Sequence, residues 1–188
     1  NRLYVVSSTT YQGIIVLSED GAFHGFIGAQ AVNISAMEII WRELQTAEQR
    51  AYSSAYVSTE FNNIAINREK GLVYVTTSTI EDGNVHGAIQ NGDKDGIYSP
   101  VKLLNANGTE IMRRNGFWIP AGEIDYVNMS SDSDDVTGVS RIIDAAVGPL
   151  DTWSIIDENR NRIYTYDFNG NLLFAFGDKG TMLGNLAS

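Results

Sequence analysis

The sequence predicts an all-β fold built from small antiparallel sheets set in series. Three observations carry that reading. Residues 5–28 (VVSSTTYQGIIVLSEDGAFHGFIG) and residues 154–177 (SIIDENRNRIYTYDFNGNLLFAFG) follow one pattern 149 positions apart. A third copy stands between them: LVYVTTS at 72–78, an insertion, then VKLLNANGTEIMRRNG at 101–116. In each copy a Gly-containing turn precedes the last strand: Asp20-Gly21, Asn107-Gly108 and Asn169-Gly170. Glycine there supplies the positive φ that a tight hairpin needs. Units of this size repeated along a chain form a row of small sheets, and a β-propeller is the architecture that sets four-stranded sheets around an axis.

The elements follow in order. The first copy starts at its second strand, with Leu3. Residues 34–56 form a helical insertion: Ser35 and Glu38 make one capping box, Thr46 and Gln49 a second, and Ile34, Met37, Ile40, Trp41 and Leu44 share a face. Residues 79–100 are rich in Gly, Asp and Asn and read as a long loop insertion. Residues 120–138 are irregular, and Asp132, Asp134 and Asp135 read as a solvated acidic cluster. The last copy has strands at 142–147, 152–157, 162–167 and 172–176, with alternation at 162–167 that suits a half-buried strand. Residues 180–187 read as the lead-in to another unit. About three blades do not close a ring. The 188 residues are therefore expected to be a single arc, either a piece of a longer propeller or one that self-associates through its open edges.

Composition narrows the function classes. The net charge is −10, and the densest basic run is Arg113-Arg114, which argues against nucleic acid and against docking on anionic lipid. There is no cysteine, so disulfides and thiolate metal sites are excluded. No apolar run is long enough to span a bilayer. Membrane association would have to come through segments outside these residues.

The motifs in turn suggest a family. Residues 155–186 carry Asp157, Asn161, Arg162, Ile163, Asp167, Gly170, Phe176, Gly177 and Gly180 at the spacing of an NHL repeat, which the stretch resembles. The wider chain is similar to extracytoplasmic NHL-repeat proteins of Gram-positive gut bacteria. Residues 11–14, 25–29, 46–50, 59–63, 100–105 and 113–116 carry that likeness. The resemblance implies a six-bladed propeller of four-stranded blades, secreted or on the cell surface, with an export signal and further blades before residue 1. Two features depart from the group: the loop at 79–100 is longer, and Gly13 stands where the last copy has Arg162.

Chemistry is sparse. Asn91, Asp93 and Asp95, followed by Gly96, match the first half of a calcium loop, whereas Lys102 stands where its distal Glu belongs. The same residues also suit an ordinary polar turn. His24 and His86 lie on different elements and do not make a catalytic metal centre. No nucleophile elbow or phosphate loop is present. Trp41 and Trp118 are the aromatic candidates for a partner surface, whereas Trp153 opens a strand and reads as core. The function expected is a non-enzymatic propeller scaffold that binds a protein or glycan partner through loops on one face. The alternative is a metal-dependent lactonase-like hydrolase or lyase with its site in the central channel. No cofactor is expected beyond calcium at Asn91, Asp93 and Asp95.

Overall fold

The computed structural model describes residues 2–7, 13–28, 60–125 and 138–186. The helical insertion at 34–56, with Trp41, and the acidic cluster at 132–135 lie outside those residues. Within them the protein is mostly β. Strands β1 (Arg2–Val5), β2 (Ile14–Ser18) and β3 (Phe23–Ile27) form one antiparallel sheet. Strands β4 (Asn63–Asn67), β5 (Leu72–Thr76) and β6 (Val101–Leu104) form the second. A small hairpin of β7 (Ile124–Asp125) and β8 (Gly138–Val139) leads into the third sheet. That sheet joins β9 (Ile142–Val147), β10 (Trp153–Asp157), β11 (Arg162–Tyr166) and β12 (Leu172–Phe176) in chain order.

The middle sheet is covered on both faces, and its sequence says why. In β5, Val73 and Val75 point to one side and Tyr74 to the other, as the period of two requires. Val73, Val75 and Leu104 pack with Ile14 of β2, Phe61 and the half-buried Ile27. Tyr74, Val101 and Leu103 pack with Trp153, Ile155, Tyr164 and Ile142 of the third sheet. Trp153 is the centre of that junction, stacked on Tyr74 at 5.3 Å and on Tyr166 at 4.8 Å between ring centroids. Its indole N–H donates to the Asp167 carbonyl at 2.9 Å, so burying it leaves no donor unmet. The expected core role of Trp153 is what the structure has.

The hairpins repeat one construction. The N–H of Asn105 donates to the Thr109 carbonyl and that of Asp167 to the Asn171 carbonyl, while Gly108 and Gly170 donate back to the carbonyls of Asn105 and Asp167. The side chains of Asn105 and Asp167 each accept two further backbone N–H groups, two and four residues on. Gly108 and Gly170 have φ of +81° and +85°. Both also abut the preceding sheet. A Cβ on Gly108 would meet Ile27 Cβ at 2.8 Å, and one on Gly170 would run into the Arg113 carbonyl.

Three details differ from the expectation. Residues 79–100 are not a plain loop, because they contain helix α1 (Asp82–Gln90). Val85, Ala88 and Ile89 fall on one helical face and bury against Ile80, Ile119, Ala121 and Val139. Gly83 and Gly87 disguise that helix in the sequence, since glycine is a poor helix former. The last strand of the middle copy shrinks to a single bridge between Leu104 and Glu110. There the Glu110 carboxylate accepts the N–H of Met112 at 2.8 Å and of Leu103 at 3.4 Å, standing in for a strand partner. In its place the second sheet gains β4, which no copy pattern announced.

Candidate functional site

A cavity of about 210 Å³ opens where the ends of the second and third sheets meet α1. Thr77 and Ser78 reach it from the end of β5, and Asp82 and Val85 from the first turn of α1. Ser140, Arg141 and Ile142 enter from the start of β9, and Asn159 from the turn between β10 and β11. The wall is mixed: hydroxyl, carboxylate, guanidinium and amide groups alternate with Ile80, Val85, Pro100, Val139 and Ile142. Local folding places each group. Residues 77–81 leave β5 with the Thr77 N–H held by the Pro100 carbonyl at 2.9 Å. The Asn62 side chain donates to the Ile142 carbonyl at 3.2 Å, which ties the second sheet to the third beside the cavity.

Beside Asn159 runs a charged network, buried at Asp157 and Arg160 and partly exposed at Glu123 and Arg162. Asp157 has no exposed surface, and its carboxylate accepts the N–H of Arg141 at 3.1 Å and of Asn159 at 2.9 Å. The Arg160 guanidinium meets the same carboxylate at 3.2 Å and donates to the Gly138 carbonyl. Next to it, Glu123 accepts from Arg162 at 2.7 Å and from the Tyr164 hydroxyl at 2.9 Å. Burial pushes the Tyr164 phenol far above its ordinary range, and the Glu123 carboxylate adds to that shift. Burial alone would lower Arg162, but Glu123, Tyr164 and Asp178 outweigh it and raise its pKa. These groups are paired with one another. Their chemistry is to hold the turn carrying Asn159 and the entry to β9 in place.

By contrast, Asp82 and the Asn159 side-chain amide make no hydrogen bond among the described residues, and both line the cavity. Arg141 carries an ion pair to Glu158 at 3.2 Å whose two side chains are about half exposed, so it is free to exchange partners. Hydroxyl, amide and carboxylate groups suit a polar ligand, and the apolar wall suits a hydrocarbon face.

The sequence-predicted site residues lie elsewhere. Asn91, Gly92 and Asp93 close α1: the N–H of Gly92 bonds the Ile89 carbonyl and that of Asp93 the Ala88 carbonyl. This is a Schellman motif, with Gly92 at φ +65°. Asp95 accepts the Ile97 N–H at 2.8 Å in a local turn. Among the described residues no cluster of three His, Asp or Glu side chains is set to hold a metal. Trp118 is 56% exposed and meets Phe117 edge to face at 4.7 Å, but it does not line the cavity. His24 lies on β3, and His86, expected in a loop, lies on α1. The cavity residues were missed because they are ordinary Ser, Thr and Asn at the ends of elements. The one legible signal was the concentration of inserted residues after β5. No protein-family model matches the chain. No curated protein matches its sequence.

Proposed function

We propose that the chain is an arc of an NHL-type β-propeller, a non-enzymatic extracytoplasmic scaffold that binds a protein or glycan partner at the end of the sheets where the cavity opens. The cavity is the observation that carries this reading. It is smaller than the roughly 300 Å³ at which small-molecule pockets begin. It therefore takes one projecting unit of a larger partner, a side chain or a single sugar ring. The rigid ends of two sheets hold polar groups at its rim, and binding residues concentrate where loops gather on such a scaffold. Successive sheets packed face to face, and hairpin glycines that seat on the sheet before, support the propeller reading.

The test is saturation-transfer NMR with a panel of monosaccharides and amino-acid amides on the wild type and on Ser78→Trp, which fills the cavity. A response lost in Ser78→Trp supports the reading. No response from any probe, or one that the variant keeps, rejects it.

A further inference from the structure

We infer that a second copy of this chain packs head to tail on the first, with the β1–β2–β3 sheet of one molecule seated against the β9–β12 sheet of the other. The cavity plays no part in this argument.

Both end faces carry exposed apolar side chains; on the last sheet these lie at the β11–β12 end, with Ser154 and Asp144 on the same face further in. In the first sheet, Leu3 and Val5 of β1 pair with Leu17 and Ile15 of β2, and these pair with Phe23 and Phe26 of β3. Those six side chains share the face turned away from the core formed by Ile14, Tyr4 and Ile27. Phe23 is 60% exposed, Leu3 51%, and Val5 and Phe26 40%. In the last sheet, Ile163 and Thr165 of β11 pair with Phe176 and Phe174 of β12 on the face away from Tyr164 and Ile155. Phe174 and Phe176 are 55% and 49% exposed, and Leu173 adjoins them at the bulge of the edge strand. Strands apolar on both faces belong between two layers. β2 and β12 have that composition with one layer present among the described residues.

The hairpins give the direction. Gly108 seats on Ile27 and Gly28 at the exit of the preceding sheet, and Gly170 seats on the segment after β6. The Asn115 N–H also donates to the Asn169 carbonyl at 2.9 Å across that second junction. Gly21 occupies the same turn position, with φ +85°, yet among the described residues nothing lies within 4 Å of a Cβ placed on it. An exit of the Phe176-Gly177 kind, taken from a second copy, fits that place.

The area is sufficient. A large apolar side chain offers about 200 Å² when wholly exposed, so Leu3, Val5, Phe23, Phe26, Leu173, Phe174 and Phe176 together offer about 700 Å² before backbone is counted. A specific interface needs about 1,000 Å², and a closed pair makes the junction twice. A head-to-tail contact is heterologous, and two junctions close two molecules into a ring when each junction turns one copy by half a circle relative to the other; other angles give a larger ring or an open filament.

Light scattering on the 188-residue chain should give twice the 20.6 kDa chain mass. Phe23→Glu and Phe174→Glu, on opposite end faces, should each give a monomer. In the cysteine-free background, Ala22→Cys with Asp178→Cys should form a disulfide between copies. The two positions are chosen because Gly116, at the matching place after β6, lies against Asn171. A wild-type monomer across the micromolar range, a mass that climbs without limit, or a dimer that only one of the two Glu variants breaks would each overturn the proposal. Circular dichroism matching the wild type separates lost association from lost folding, and the disulfide-linked dimer stands independently of both Glu variants.

Discussion

At the scale of single residues, two positions make opposite predictions about charge and backbone. Lys102 sits on β6 and is 5% exposed, and burial pushes its ammonium down to about 8 from 10.5. Glu110 and Asp95 favour the charge, while Arg114 opposes it. Between those two values the unfolded chain binds more protons than the folded one, so stability rises with pH through that window. Below it the folded protein carries a buried cation at a cost on the order of 3 kcal/mol. Lys102→Met should therefore be more stable than wild type at pH 7 by roughly 1–3 kcal/mol and should lose the rise between pH 8 and 10.5 in urea unfolding. Gly170 is the backbone case. Gly170→Ala adds a Cβ against the Arg113 carbonyl at positive φ and should cost more than about 2 kcal/mol. Gly21→Ala, with the same φ and open space, should cost only about 1 kcal/mol in the monomer.

At the scale of elements, α1 is the instructive case. Its burying face, Val85, Ala88 and Ile89, has helical spacing, but the flanking Asp, Asn and Gly composition reads as loop. Packing on Ile119, Ala121 and Val139 decides for helix, as tertiary contacts usually do for short helices. The Asn91-Gly92-Asp93 run that resembles a calcium loop is used to stop that helix. Gly92→Ala should cost about 1 kcal/mol, read as faster amide exchange confined to α1. Millimolar calcium should leave the melting temperature of the wild type and of Asp93→Ala/Asp95→Ala unchanged. A calcium-dependent rise that the double variant loses would instead restore Asn91, Asp93 and Asp95 as ligands. Hairpins were more legible than the helix. The pattern Asx-x-Asn-Gly marks its own turn through the side chain of its first residue, a contact that needs nothing beyond the local chain.

At the scale of the whole molecule, the sheets cohere through side chains that cross between them. Trp153 joins the second sheet to the third through Tyr74 and Tyr166. Trp153→Ala should cost about 3–5 kcal/mol and leave a cooperative but much weaker fold, measured by guanidinium unfolding. The charged network of Asp157, Arg160, Glu123 and Arg162 acts with it by fixing the turn that carries Asn159 and the entry to β9.

The local chemistry of the residues determined most of the strands at the three copies, their hairpin turns and the burial of Trp153. These depend on period-two patterning and glycine geometry, each readable within a few residues. Tertiary structure alone decided that residues 82–90 are helical, that Glu110 replaces a strand partner and that Thr77, Asp82, Ser140 and Asn159 share one cavity. Those outcomes require groups distant in sequence to meet, and no local pattern encodes which distant groups arrive.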